Sequence, residues 1–294
     1  MSEHKFGGDW TDVKLAKLKK YLKAYRTIFS GNARARHFTT WYVDAFAGTG
    51  SRTRADAPAG MKPLFGGDVY EDADTKGYRD GSAKIALALT DPFHNYLFIE
   101  KSRSRVKELK EMIQKDYPAL APRCHFQQGD ANDVLQQWCK ERDWTKDRAV
   151  VFLDPYGMQV EWSTVKALGA TKGVDLWYLF PLVARVLKRD GKLDASWEKR
   201  LTSLFGTKDW RTRFYETKEM EGLFGTLETV ERDVSVENIQ GFISERLKSC
   251  FAGVAKGLIL RNSKSSPLYS LCFAAANEHG AKTAIKIAKD ILAD

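Results

Sequence analysis

Apolar and polar residues alternate with two different periods along this chain, and the changes of period mark the predicted elements. Over residues 11–30 the apolar positions recur every three or four residues with lysines between them. This spacing predicts an amphipathic helix that Thr11 or Asp12 would cap. The run Trp41-Tyr42-Val43 is rich in β-forming residues and leads into Asp44 and then small residues, which predicts a buried strand.

Helical and strand-like segments alternate from residue 82 onward. The first is a helix that Ser82 would cap and that ends near Leu89. After it we predict strands at 96–99, 125–128, 149–153 and 174–180, with helices between them at 103–115, 134–141 and 162–168. Strands that alternate with helices of this length pair in parallel. The last two strand-like runs, 254–260 and 268–275, are joined by a short polar turn and should pair antiparallel, before a final helix over 281–292.

This order of elements predicts the fold class. It is α/β, a Rossmann-like class I methyltransferase fold, with a mostly parallel seven-stranded sheet, a C-terminal antiparallel hairpin and helices on both faces. Dinucleotide dehydrogenases, by contrast, end on a parallel strand. We expect four parts along the chain. They are a basic helical segment (1–40), a core (41–184) with a lid-like insertion (52–80), a helical insertion (185–237) and a C-terminal part of the core (238–294).

Composition and charge narrow the function classes. The 294 residues are 43% hydrophobic and 12% aromatic, which indicates a globular protein. No apolar run is long enough to span a bilayer, no secretion signal is evident, and the four cysteines are scattered, so we expect a cytoplasmic protein without a membrane partner. The net charge of +9 is concentrated at the ends: residues 1–42 hold nine Lys/Arg against three Asp/Glu, and residues 246–294 hold eight against three. Such ends suit a nucleic-acid partner, although solvated helix faces would give the same pattern.

A glycine turn follows the first predicted strand. Its sequence is Asp44-Ala45-Phe46-Ala47-Gly48-Thr49-Gly50, and glycines there let the backbone approach a ligand closely. The third glycine of a dinucleotide fingerprint is missing, and S-adenosylmethionine (SAM), which has no phosphate, tolerates that loss. We therefore predict a SAM site in which Asp44 accepts from the ligand's ammonium group and Phe46, Ala47, Gly48 and Gly50 line the turn. An ordinary tight strand-to-helix turn is the alternative.

Two further acidic residues end the next two predicted strands. Glu100 follows one strand and is expected to accept both ribose hydroxyls. Asp130 follows the next and would accept from the adenine amino group, with Ala131 packed on the ring. Either residue alone could be a solvated loop carboxylate, but acids at three successive strand ends favour a common ligand site.

The segment Asp154-Pro155-Tyr156-Gly157 ends the fourth predicted strand. The Asp154 carboxylate and the Pro155 carbonyl can both accept hydrogen bonds from an exocyclic amino group, which aligns the nitrogen lone pair for methyl transfer. Tyr156 offers a face on which a base could stack. We predict these three as catalytic residues, with Asp154 also beside the cofactor; an ordinary type I turn is the alternative. The histidines form no spaced cluster, so no metal site is predicted.

The whole chain resembles the family of three-Cys-motif partner proteins (TcmP). The resemblance rests on Trp10-Thr11 with the following helix, on the glycine turn, on Leu153-Asp154-Pro155-Tyr156-Gly157 and on Ser266-Pro267-Leu268-Tyr269. It implies a protein that works with a neighbour carrying a three-cysteine motif, and it leaves the substrate open.

The Asp154–Gly157 motif also resembles that of tRNA guanine-N2 methyltransferases, whereas N6-adenine enzymes carry a second proline that this chain lacks. We therefore expect a SAM-dependent methyltransferase that acts on an exocyclic amine of a nucleic-acid base, in DNA or RNA. A non-catalytic or weakly active SAM-fold subunit of a three-cysteine-motif protein is the alternative, and methylation of a small molecule or a protein is a third.

Overall fold

Strands and helices alternate along most of the chain. The computed structural model describes residues 9–49, 51–52, 79–187, 193–222, 225–232 and 234–294. The strands are β1 (Thr39–Asp44), β2 (Ser51–Arg52), β3 (Arg79–Asp80), β4 (Asn95–Glu100), β5 (Cys124–Gln128), β6 (Asp147–Leu153), β7 (Val174–Pro181), β8 (Tyr215–Gly222), β9 (Gly225–Arg232), β10 (Gly253–Arg261) and β11 (Pro267–Ala275). The helices are α1 (Asp9–Gly31), α2 (Ser82–Leu87), α3 (Arg103–Asp116), α4 (Ala131–Glu141), α5 (Trp162–Ala170), α6 (Ala195–Phe205), α7 (Trp210–Phe214), α8 (Val236–Lys248) and α9 (Ala281–Ala293).

A seven-stranded sheet with the order β10-β11-β7-β6-β1-β4-β5 is the centre of the molecule. Strands β1, β4, β5, β6 and β7 pair in parallel, while β11 runs antiparallel to both β7 and β10. This is the doubly wound sheet with a terminal antiparallel hairpin that the sequence predicts, so the predicted class I methyltransferase fold is confirmed.

The two faces of the sheet carry separate cores. In β1, Tyr42 belongs to the core under α1 and α2, and its neighbour Val43 belongs to the core under α4, α5 and α8. Residues 149–153 of β6 are all buried, because this central strand is covered on both faces. This double coverage is why the central strands appear in the sequence as continuous apolar runs.

Helix α1 starts earlier than the sequence indicates. It begins at Asp9, so Thr11 and Asp12 lie inside its first turns and do not cap it. The expected cap of α2 is also wrong: Gly81 is the N-cap residue, and the Ser82 hydroxyl donates to the buried Asp44 carboxylate instead. Ser82 is thus the first helical residue, and its hydroxyl donates a charge-assisted hydrogen bond to a buried carboxylate.

The segment 185–237 is helical only in part. Trp197 and Trp210 lie on α6 and α7 as expected, but strands β8 and β9 form an antiparallel hairpin that the helical pattern did not predict. Both strands are rich in charged residues, so hydrophobic periodicity gives little sign of them. Most of the expected lid-like insertion 52–80, residues 53–78, lies outside the described residues. None of the described helices combines the length and the apolar character that a membrane crossing requires.

Candidate active site

The acidic residues that end the parallel strands meet at one edge of the sheet. Asp44 pairs with Phe98 on β4 and with Phe152 on β6, so Glu100 and Asp154 each lie two residues beyond these partners. Ligands of open α/β sheets bind outside the carboxyl ends of the strands. The parallel register thus puts the predicted site residues along the edge where such ligands bind.

The Asp44 carboxylate is fully buried and its partners belong to the chain itself. Its Oδ2 accepts from the Ser82 hydroxyl at 2.5 Å and the Tyr42 hydroxyl at 3.3 Å, and its Oδ1 accepts from the Phe46 N–H at 3.3 Å. Burial raises the pKa of Asp44 from 3.8 to about 6, the Ser82 hydrogen bond opposes this rise, and the negative charge of Asp154 adds to it. With these internal partners, Asp44 is built to fix the turn after β1.

The Glu100 carboxylate bridges the first two strand ends. Its Oε2 accepts from the Gly48 N–H at 3.1 Å and its Oε1 accepts from the Ser102 N–H at 2.8 Å. Gly48 has a φ of +57°, and no described atom lies within 4 Å of the position that a Cβ would take there. Each carboxylate oxygen keeps a further lone pair for an additional donor. The carboxylate is therefore held in place while still able to accept from a ligand hydroxyl.

Asp130 forms the N-terminal cap of α4. Its Oδ1 accepts from the Asn132 N–H at 2.9 Å, and its side chain remains 45% exposed. Lys101 lies 3.8 Å from Oδ2 but is 82% exposed, so this ion pair contributes little. Ala131, the first residue of α4, is buried. The Asp130 side chain thus stays partly exposed at the strand ends, where an amino group could reach it.

Asp154 forms a buried ion pair with a residue from the N-terminal helix. The Lys14 Nζ lies 2.6 Å from Asp154 Oδ2, and the two side chains are 0% and 9% exposed. The ammonium group also lies 5.2 Å from the ring centre of Trp10 and 5.9 Å from that of Phe152. The beginning of α1 is therefore part of this edge of the sheet.

Asn132 holds the loop that follows Asp154. Its Nδ2 donates to the Gln159 carbonyl at 2.9 Å, and its Oδ1 accepts from the Glu161 N–H and the Thr164 hydroxyl at 2.9 Å each. The Gln159 side chain in turn accepts from the Tyr156 N–H at 2.9 Å. Because Asn132 also donates to Asp130 at 3.0 Å, one buried amide connects the start of α4 with the Tyr156 loop.

The structure brings most of the predicted site residues together along one edge. Those it describes there are Asp44, Phe46, Ala47, Gly48, Glu100, Asp130, Ala131, Asp154, Pro155 and Tyr156. Gly50 lies outside the described residues. Among the described residues, no three or more His, Cys, Asp or Glu side chains are grouped as metal ligands.

Sequence reasoning missed three side chains that hold these residues, namely Lys14, Ser82 and Asn132. One signal for Lys14 is present in the sequence, since it is in line with Leu18, Tyr21 and Tyr25 on the apolar stripe of α1. A lysine inside an apolar stripe needs a buried counter-charge or a path to solvent. Ser82 and Asn132 follow no pattern that sets them apart from other polar residues at helix starts.

Two segments that carry the family resemblance are in contact. The Trp10 ring stacks on the Tyr269 ring with centroids 5.2 Å apart and an angle of 28° between the planes. Tyr269 pairs with Pro181 at the carboxyl end of β7. The resemblance itself stays a prediction, because comparison with models of known protein families and with curated proteins gives no match.

Comparison with solved structures gives distant matches. They include protein LPL1258 of Legionella pneumophila (13% identity, 84% of this chain and 94% of that one, TM-score 0.40). Trm1 of Pyrococcus horikoshii in complex with S-adenosyl-L-methionine is a second match (9% identity, 94% of this chain and 57% of that one, TM-score 0.40). Spermidine synthase of Thermotoga maritima is a third (10% identity, 92% of this chain and 60% of that one, TM-score 0.38). With similarity this low, the fold assignment rests on the strand order of this chain.

Proposed function

We propose that this protein is a SAM-dependent methyltransferase that methylates an exocyclic amine of a nucleic-acid base. One observation carries the proposal: Glu100 and the Asp154-Pro155-Tyr156 motif lie at the same edge of a sheet with the order β10-β11-β7-β6-β1-β4-β5. The first feature suits a ribose and the second suits an acceptor amine. Methyl transfer requires the cofactor and the acceptor amine to bind side by side, which two binding features at one edge of the sheet would allow.

The residues present fit SAM. Glu100 is oriented by the Gly48 and Ser102 amides and would bind the ribose hydroxyls, and Asp130 at the start of α4 would bind the adenine amino group. The position of a Gly48 Cβ is open among the described residues, so a ligand can approach the backbone closely there. When bound, SAM supplies a methyl group on a positively charged sulfur.

The acceptor side is formed by Asp154, Pro155 and Tyr156. The Asp154 carboxylate and the Pro155 carbonyl would accept from the two N–H groups of the acceptor amine and so direct its nitrogen lone pair at the methyl group. Lys14 already donates to Asp154 Oδ2, but a carboxylate has about four acceptor positions and can bind a second donor. The Tyr156 ring would stack on the base, and its loop is fixed through Gln159 and Asn132.

Two packed helices from the chain ends give the nucleic-acid part of the proposal its support. Lys20 of α1 and Asp294 at the end of the chain lie 2.6 Å apart, so α1 and α9 are neighbours. Besides Lys20, these helices expose five lysines, namely Lys19, Lys23, Lys282, Lys286 and Lys289. Phosphate contacts by such residues make binding strongly dependent on salt, which separates a nucleic-acid acceptor from a small molecule.

The test combines cofactor binding and methyl transfer. Isothermal titration with SAM should give a binding isotherm, and labelled SAM should transfer its methyl group to RNA or DNA from the host. Glu100→Ala should weaken SAM binding and lower transfer at limiting SAM, whereas Asp154→Ala should abolish transfer with SAM binding kept. No heat with SAM at high protein concentration would refute the proposal, and transfer only to protein or small molecules would refute its nucleic-acid part.

The second candidate is a SAM-fold subunit without turnover that serves a three-cysteine-motif protein. The observation that favours it is the Lys14–Asp154 pair, because part of the acceptor carboxylate is engaged within the chain. This candidate predicts SAM binding, stable co-purification with such a partner and no transfer to any nucleic acid with or without it.

A further inference from the structure

Lys14 is a buried lysine on a helix that precedes the sheet in sequence. Its side chain is fully buried, and its partner Asp154 is 140 residues away in the chain. Burying an ammonium group and a carboxylate is costly, and an apolar pair of similar volume is often at least as stable. Stability alone therefore gives little reason for this pair at the end of β6.

The surroundings of Asp154 contain a second carboxylate. The charge of Asp154 raises the pKa of Asp44 further, after burial as the main cause, and it also contributes to raising that of Tyr42. These groups face Asp154 from β1, and Lys14 faces it from α1. Lys14 thus supplies a positive charge to Asp154, whose own negative charge acts on the carboxylate of Asp44.

We infer that Lys14 is a positioning residue of the methyl-transfer site, which keeps the Asp154 carboxylate ionised and fixes its orientation toward the acceptor amine. The inference rests on the proposed function. A carboxylate that loses an ion-pair partner while remaining close to another carboxylate is protonated more easily. A protonated Asp154 would present an O–H donor where the amine that is methylated needs a hydrogen-bond acceptor for its N–H group. Because Lys14 lies on α1, this helix is a component of the site.

Lys14→Met tests the inference, and Lys17→Met is its matched control. Lys17 is a second buried lysine on α1, one turn along, and no carboxylate among the described residues lies within 4 Å of its ammonium group. We expect Lys14→Met to lower kcat about 100-fold at neutral pH while the Kd for SAM stays within about threefold. The acid limb of its pH–rate profile should move up by about one unit, and Lys14→Arg should restore most of the rate. Lys17→Met should match the wild type in rate and profile.

Two measurements make the outcome decisive. If Lys14→Met keeps the kcat and the pH profile of the wild type, the inference is overturned while the proposed function stands. Titration of the Asp154 carboxyl carbon by ¹³C NMR, assigned with Asp154→Asn, does not depend on turnover. A carboxyl group that titrates identically in the wild type and Lys14→Met also overturns the inference, whereas a wild type that binds no SAM overturns the proposed function.

Discussion

Asp44 allows a direct test of the strand-end electrostatics, because its carboxylate is fully buried and its partners are known. We consider Asp44→Asn. In the variant, the amide oxygen can accept from the Phe46 N–H while the amide nitrogen donates to Ser82 or Tyr42, whose hydroxyls can rotate to accept. The substitution therefore removes the titrating group and leaves the hydrogen-bond network nearly complete.

The expected magnitude follows from the raised pKa of Asp44. The ordinary pKa of an aspartic acid is 3.8, and burial raises that of Asp44 to about 6 in the folded protein. An acid whose pKa is raised by folding binds its proton more tightly in the folded state. Its contribution to the free energy of unfolding is therefore fully present below the unfolded-state pKa and is lost as the pH rises through the folded-state pKa. The total loss is about 3 kcal/mol, of which about 2 kcal/mol falls between about pH 4.5 and about pH 8.

Urea unfolding of the wild type and Asp44→Asn over this pH range measures the effect. The stability of the variant relative to the wild type should rise by about 2 kcal/mol from the acidic to the alkaline end. Asp290→Asn, at an exposed carboxylate of α9, serves as the control for the same chemical change outside the site. A pH-independent difference for Asp44→Asn would refute the argument from burial.

Three further predictions concern the site. Glu100→Ala should weaken SAM binding about 10- to 100-fold in calorimetry, because a charged acceptor for the ribose is lost; a Kd equal to that of the wild type would contradict the assignment. Asp154→Asn should lower kcat about 100-fold in a labelled-SAM assay with the SAM Kd kept within about threefold, and equal kcat values would exclude Asp154 from the transfer step. Asn132→Ala should cost about 2–4 kcal/mol in urea unfolding, because buried donors of the Tyr156 loop lose their acceptor, whereas Gln137→Ala on the exposed side of α4 should cost almost nothing.

Hydrophobic periodicity was sufficient for the sheet. Central strands such as β6 are covered on both faces, and this leaves a continuous apolar run that periodicity detects. The method failed where the strand sequences carry little apolar pattern: β8 and β9 are rich in charged residues, and a helical segment was predicted in their place. Helix starts also differed from the prediction: α1 begins at Asp9, and Ser82 is the first residue of α2 with its hydroxyl donating to Asp44.

The sequence by itself determined the order of the elements and the acids at the strand ends, since both depend on residues that are close together along the chain. Parallel strands bring their carboxyl ends to one edge, so Asp44, Glu100 and Asp154 had to meet once the fold was known. Only the tertiary structure decided which side chains hold these acids. A lysine on an apolar stripe can reach solvent along its own stem or pair with a distant carboxylate, and packing chooses between the two. In this protein the packing of α1 against the sheet brings Lys14 to Asp154 across 140 residues of sequence.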